Sequence, residues 1–195
     1  MSLISNQDMI RRATLGDQLR RHAQHQPKKA AVIFYRPDGS REEVSYLELN
    51  GRANAFAAYL ELQGVKRGDC VAMMSRNSPD YVVAWYATLK LGASFTGVNF
   101  TFTEKEISYQ ISHADPKVMI VEDSFVGKFD NIKDQLNGIN AKVVSNTVAD
   151  TASKEWLRFS DVIKTHDRVE VDHMVSEDDI AMLIYTSGTE AFPKG

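Results

Sequence analysis

The sequence predicts an α/β fold in which helices flank a layered, mostly parallel sheet. Short apolar runs alternate with amphipathic helical patterns from residue 70 to residue 184. Such alternation is typical of parallel strands joined by right-handed helical crossovers. An antiparallel hairpin is added near the N-terminus, where residues 31–35 and 41–44 flank a turn that contains Pro37 and Gly39.

Helix start and stop residues divide the first half of the chain. Thr14 with Asp17 opens a helix that should end before Pro27. Ser45 with Glu48 forms a capping box for a second helix, closed by Gly64. The predicted core stripe of this second helix is Leu49, Ala53, Phe56 and Leu60.

The central region predicts buried strands and one buried helix. A strand is predicted at residues 70–74, followed by Ser78 as N-cap and Pro79 at the first helical position. The helix that follows is apolar nearly all round and is predicted to be deeply buried. Gly92 ends it, residues 93–98 form a strand, and Thr103 with Glu106 caps another helix.

The last third continues the alternation. Strands are predicted at residues 117–121 and 141–144, with one helix between them lined by Phe125, Phe129, Ile132 and Leu136. A loop at 145–153 precedes a short helix bearing Trp156, Phe159 and Ile163, and residues 165–176 are predicted to be irregular. Residues 180–184 are continuously apolar, as expected for a strand covered on both faces.

Composition excludes several classes of function. The chain has 195 residues, 43% of them apolar, and a net charge of −3, so a general attraction to nucleic acid is not expected. Its apolar runs are too short to span a bilayer. The single cysteine, Cys70, excludes an internal disulfide and fits a reducing, cytoplasmic location. The five histidines show no metal-ligand spacing, which predicts no resident metal site.

Residues 185–195 follow the last predicted strand and concentrate hydroxyls, glycines and one lysine. Hydroxyl groups donate hydrogen bonds, Gly188 allows backbone N–H groups to approach an anion, and Lys194 supplies positive charge. The spacing is not that of a Walker loop, because Gly195 rather than a hydroxyl residue follows Lys194. Ligands of open parallel sheets lie beyond the carboxyl ends of the strands, where this loop would begin.

The pattern Tyr-Thr-Ser-Gly-Thr-x-x-x-Pro-Lys-Gly resembles the phosphate loop of the AMP-forming adenylating enzymes, which include acyl-CoA synthetases, luciferases and peptide-synthetase adenylation domains. Residues 44–49 are similar to that family's Leu-Thr-Tyr-x-Glu-Leu segment. Residues 89–99 are similar to its Leu-Lys-x-Gly-Ala-x-x-x-Pro-Val-Asn segment, with Gly97 in place of proline. The resemblance runs from about residue 14 to residue 195.

The resemblance implies a two-step reaction. A carboxylate attacks the α-phosphorus of Mg-ATP to give an acyl-adenylate and pyrophosphate, and the thiol of CoA then displaces AMP. The resemblance implies that residues in the terminal loop bind the phosphates of ATP. It implies no catalytic side chain within these 195 residues. The binding set is Thr186, Ser187, Gly188, Thr189, Glu190 and Lys194. For Tyr185, a core or stacking role and a ligand contact are the two alternatives.

Two departures from the family pattern refine the expectation. Glu190 and Ala191 stand where many members have threonine and glycine, which removes a hydroxyl donor and adds a carboxylate near the phosphates. That carboxylate would point away or share a Mg²⁺ ion. Thr-Glu variants of this loop are most similar to acyl-CoA synthetases that act on fatty or other hydrophobic acids.

Family members are more than twice as long. The resemblance therefore implies that residues 1–195 are part of a large N-terminal domain of an acyl-CoA synthetase-like fold. The rest of that domain and a small C-terminal domain would lie outside this sequence. The isolated chain is expected to be inactive, and an uncovered apolar surface near residues 180–185 is expected to favour dimers or aggregates. The alternatives are an adenylation domain that loads a carrier protein and a non-catalytic nucleotide-binding or assembly module.

Overall fold

A computed structural model describes residues 14–145 and 156–186. The helices are α1 Leu15–His25, α2 Tyr46–Leu62, α3 Pro79–Lys90, α4 Glu104–Ala114, α5 Val126–Asp130 and α6 Phe159–Thr165. The strands are β1 Ala30–Tyr35, β2 Arg41–Ser45, β3 Cys70–Met74, β4 Ser94–Gly97, β5 Pro116–Glu122, β6 Ala141–Ser145, β7 Leu157–Arg158 and β8 Met182–Leu183. The predicted α/β class is confirmed.

The main sheet has six strands in the order β7-β6-β5-β3-β4-β8, and all of its pairings are parallel. β1 and β2 form the predicted antiparallel hairpin separately, with Tyr35 opposite Arg41. β3 occupies the centre of the main sheet, between β5 and β4. After β3, the chain adds β4 on one side of it and then crosses over to add β5 on the other side.

Two apolar cores cover the two faces of the sheet. On the first face, α1, α2, α3 and α6 pack on alternate strand residues such as Val71 and Met73. On the second face, α4 and the segment around Phe129 pack on the intervening residues, Ala72 and Met74. Because both faces of β3 are covered, all five of its residues are buried, as its continuous apolar run predicts.

Side-chain caps begin the helices where the sequence places them. Thr14, Ser45, Ser78 and Thr103 each accept a hydrogen bond from the backbone N–H three residues later. α4 has the full reciprocal capping box between Thr103 and Glu106. The predicted box at Ser45 is half formed, because the carboxylate of Glu48 instead pairs with Arg52 at 2.8 Å and Arg168 at 2.9 Å.

The helix predicted from Phe125 to Leu136 is broken in the structure, so that prediction is wrong in its continuity. A 3₁₀ turn at Asp123–Phe125, the short α5 and a second 3₁₀ turn at Lys133–Leu136 replace it. Asparagine has low helix propensity, and Asn131 donates a side-chain hydrogen bond to Glu104 of α4 at 2.6 Å. Phe129, Ile132 and Leu136 still reach the second core, as their spacing predicts.

Two further predictions need correction. Trp156 precedes a short strand, β7, that pairs with β6, so the predicted helix begins only at Phe159. The predicted burial of α3 is confirmed, because seven of its twelve residues are buried, Trp85 and Tyr86 are half-buried, and none is exposed. The final strand is two residues long, and Ile180 and Ile184 beside it are 63% and 64% exposed. It is therefore not covered on both faces within the described residues.

Candidate functional site

The carboxyl ends of the parallel strands form one edge of the sheet, where an α/β protein presents its ligand-binding loops. β8 lies beside β4, with Phe95 opposite Met182 and Thr96 opposite Leu183. The backbone N–H of Phe95 donates to the carbonyl of Ala181 at 3.1 Å, and the Thr96 hydroxyl donates to the carbonyl of Leu183 at 2.9 Å. These contacts fix the direction in which the chain leaves β8.

Two residues of the predicted phosphate motif lie within the described part. Thr186 follows β8 and is an exposed residue. Tyr185 is half-buried, and its hydroxyl lies 2.7 Å from Nδ1 of His113 in the last turn of α4. The two rings meet edge to face with centroids 5.6 Å apart. This arrangement favours the packing role for Tyr185.

The remaining predicted phosphate-binding residues lie outside the described residues. They are Ser187, Gly188, Thr189, Glu190 and Lys194. Their roles stay predictions, because the structure gives no distance for any of them.

A charged cluster between β3 and β5 was missed by the sequence reasoning. Glu122 lies at the end of β5, and its buried carboxylate accepts a hydrogen bond from the backbone N–H of Arg76 at 2.8 Å. The same carboxylate forms an ion pair with the guanidinium of Arg76. Ser124 donates to the same carboxylate at 2.6 Å. Arg76 also lies over the ring of Phe125 at 4.7 Å. A charged residue within two positions of the end of each of the two predicted strands, 70–74 and 117–121, is the signal that could have identified this pair.

A segment without helix or strand, residues 166–179, leads from α6 to the start of the β8 region, and we call it the strap. Its central carboxylate, Glu170, accepts hydrogen bonds from Asn50 at 2.8 Å and Asn54 at 3.1 Å, both on α2. The ammonium of Lys90, at the end of α3, forms an ion pair with the same carboxylate. Burial lowers the pKa of Lys90, and the Glu170 carboxylate partly opposes that shift.

Neither a metal cluster nor a membrane helix is found among the residues that the structure covers. Residues 14–145 and 156–186 contain no group of three or more His, Cys, Asp or Glu side chains placed to hold a metal ion. Within the same ranges, no helix is long and apolar enough to cross a bilayer.

The chain belongs to the AMP-binding enzyme family, whose model matches residues 19–195. It is 29% identical over 182 residues to an indoleacetate–CoA ligase of Aromatoleum aromaticum, covering 93% of this chain and 34% of the relative. It is 32% identical over 175 residues to a medium/long-chain-fatty-acid–CoA/3-oxocholest-4-en-26-oate–CoA ligase of Mycolicibacterium smegmatis, covering 87% and 30%.

The fold is likewise similar to that of a solved CoA ligase. The crystal structure of the anthranilate CoA ligase AuaEII with anthranoyl-AMP superposes with a TM-score of 0.84 at 26% identity, covering 94% of this chain and 34% of that one. The recognised resemblance to adenylating enzymes is thereby confirmed. The chain spans about a third of the length of these proteins.

Proposed function

We propose that this chain forms the phosphate-binding part of an AMP-forming acid:CoA ligase, a longer protein in which residues 1–195 make up part of the N-terminal domain. The observation that carries the proposal is the position of the phosphate motif directly after β8 in the parallel sheet. Because β8 is parallel to β4, it ends at the carboxyl edge of the sheet, where nucleotides are bound in α/β proteins, and the phosphate motif follows it directly in the sequence.

In the proposed reaction, a carboxylate oxygen of the acid attacks the α-phosphorus of Mg-ATP, and the bond to pyrophosphate breaks. The thiol of CoA then attacks the acyl carbonyl of the adenylate, and AMP leaves. The attacking carboxylate is already ionised at neutral pH, so this chain needs to supply positioning and charge neutralisation rather than a general base.

The residue roles follow from the chemistry of the motif. Thr186, Ser187, Gly188 and Thr189 would hold the β- and γ-phosphates through hydroxyl and backbone donors, and Lys194 would neutralise the departing pyrophosphate. Mg²⁺ would arrive bound to ATP, with Glu190 as the candidate carboxylate beside it. The position of Thr186 directly after β8 supports the first of these roles.

The proposed acid is hydrophobic, either fatty or aromatic. The relatives named above are ligases for indoleacetate and for medium- and long-chain fatty acids, and both kinds of acid carry a large apolar group. We further propose a cytoplasmic location, which the buried free thiol of Cys70 supports.

The test is acid-dependent exchange of pyrophosphate into ATP. We expect no exchange from the pure 195-residue chain. A longer polypeptide that contains this chain and has the length of a relative should catalyse exchange with an aryl or fatty acid. In the longer protein, Lys194→Ala should lower kcat/KM about 100-fold, as loss of one charge-stabilising donor does. Lys133→Ala, at an exposed lysine of the second 3₁₀ turn, is the matched control.

Each other outcome has a defined meaning. Exchange by the 195-residue chain alone would refute its assignment as an incomplete domain. ATP binding without exchange in the longer protein would favour a non-catalytic nucleotide-binding module. Exchange followed by transfer to a carrier protein but not to CoA would favour the carrier-loading alternative.

Self-association is a further part of the proposal. Ile180, Met182 and Ile184 expose apolar surface along β8, and such a surface is normally covered in a folded protein. We expect the 195-residue chain to form dimers or larger species at high concentration, measured by light scattering. A strictly monomeric chain would contradict this expectation.

A further inference from the structure

We propose that Glu170 is a positioning residue that fixes the strap on α2 and α3 and thereby seats β8, from which the phosphate motif extends. The consequence for ATP rests on the function proposed above. The effect on the strap and on β8 can be measured without any activity.

The strap contacts α2 through several side chains, and its Val171 packs against the first core. The ring of His166 meets Tyr59 edge to face, Arg168 pairs with Glu48 at 2.9 Å, and Nε2 of His173 lies 2.7 Å from a carboxylate oxygen of Glu61. These α2 residues span almost the whole helix. The strap is therefore laid along α2 rather than packed into a core of its own.

Gly51 of α2 shows how closely the strap approaches. A Cβ atom at this position would lie 3.3 Å from the side chain of Arg168. Glycine inside a helix is unfavourable by about 1 kcal/mol relative to alanine, so its presence here matches the close passage of the strap.

Glu170 differs from the other contact residues of the strap because it links the strap to both α2 and α3. One carboxylate oxygen accepts from both Asn50 and Asn54 of α2, and the other meets the ammonium of Lys90. The Lys90 side chain is only 3% exposed, whereas the side chains of Arg168 and His173 are each 47% exposed. A buried charge without its partner is far more costly than an exposed one.

A second ion pair transmits the position of the strap to β8. Asp179, the last residue of the strap, accepts two hydrogen bonds from Arg67 at 2.7 and 2.9 Å, and its other oxygen accepts from the N–H of Ser176. Ala181 follows two residues later and accepts from the N–H of Phe95. The strap between Glu170 and Asp179 therefore sets where β8 meets β4.

The test is hydrogen exchange, followed by NMR in the 195-residue chain. In Glu170→Gln, strap amides and the Phe95 amide should exchange at least about tenfold faster, because local opening frees them. The Val98 amide bonds to Met73 of β3, on the opposite side of β4, and should be nearly unchanged. Glu177→Gln alters an exposed carboxylate of the same strap and serves as the control.

A double variant separates positioning from general stability. Lys90→Met with Glu170→Gln removes the uncompensated buried charge, so the global free energy of unfolding should recover. If Glu170 positions the strap, the Phe95 amide should still exchange rapidly in the double variant. The proposal would be overturned if the double variant recovered both global stability and protection of the Phe95 amide. It would also be overturned if Glu170→Gln accelerated amide exchange equally at Phe95 and Val98.

These results are independent of catalysis. A longer protein without acid-dependent exchange would refute the proposed function but leave the exchange pattern of β8 intact. Conversely, an active enzyme with an unchanged Phe95 amide in Glu170→Gln would refute only the positioning role.

Discussion

The hydroxyl oxygen of Tyr81 lies 2.8 Å from the point that a Cβ atom on residue 97 would occupy. Tyr81 is in the first turn of α3, and its ring meets Phe95 edge to face at 5.2 Å. Gly97 ends β4, at the position where the family pattern has proline. The absence of a side chain at residue 97 thus makes room for the Tyr81 hydroxyl.

Gly97→Ala should therefore destabilise the chain by about 1–3 kcal/mol, the usual effect of forcing extra atoms into a packed site. Tyr81→Phe removes the oxygen that the new methyl group would meet. In the Tyr81→Phe background, the same Gly97→Ala change should lower the free energy of unfolding by clearly less. Urea unfolding of the four proteins measures the difference, and equal costs in both backgrounds would contradict the steric account.

Cys70 should react slowly in the folded chain. It is 5% exposed, and burial raises the pKa of its thiol from 9.0 to about 11, although a hydrogen bond with Ser94 opposes part of the shift. At about pH 8, a two-unit rise reduces the reactive thiolate about 100-fold. Alkylation by iodoacetamide should accelerate at least that much when urea unfolds the chain, and similar rates in both states would disprove this prediction.

Thr103→Ala should weaken the start of α4. The Thr103 side chain accepts from the N–H of Glu106, and the Glu106 carboxylate accepts from the N–H of Thr103 at 2.8 Å. Loss of a threonine cap costs about 1 kcal/mol. Chemical unfolding should show this loss, whereas Ser108→Ala, which removes the hydroxyl of a half-buried residue within the same helix, should change stability much less.

Acid should destabilise the chain partly through Glu170. Burial alone would raise the pKa of this carboxyl, but Lys90 and the two asparagines outweigh it and lower the pKa below its usual 4.5. A lowered folded-state pKa contributes stability that is complete above 4.5 and is lost as the pH falls through the folded value.

The corresponding measurement compares the wild type with Glu170→Gln by urea unfolding at neutral pH and at several values below 4.5. The variant cannot titrate at this position, so its free energy of unfolding should fall less steeply on acidification. The Glu48 and Asp179 carboxyls also have lowered pKa values, and they titrate in both proteins. Parallel curves for the two proteins would exclude a contribution from Glu170.

Local signals in the sequence were sufficient for most of the fold. The caps at Ser78 and Thr103 are short-range hydrogen bonds between neighbouring residues, and the structure forms them as predicted. The order of strands in the sheet was not predicted, because it depends on pairings between distant residues. β7 was missed for the same reason, since two residues have no periodicity and only pairing with β6 makes them a strand.

The candidate site was predictable only in part. The phosphate motif is a contiguous pattern, so its residue types could be read directly. The contacts of Glu170 join residues separated by 80 to 120 positions. Glu170 lies in a segment predicted as irregular, and no local pattern marks its partners. Its role depends on the tertiary structure alone.

The pairing of β8 with β4 also has a consequence for the order of folding. Thr96 and Leu183, which are joined across this pair, are 87 residues apart in the chain. Contacts that close long loops form later than local ones, because more chain entropy must be lost first. During synthesis, β3, β4 and β5 can assemble before β8 has been translated. Among the strands that the structure describes, β8 is then the last to join the sheet, so the residues that follow it in the sequence are added to a scaffold that has already folded.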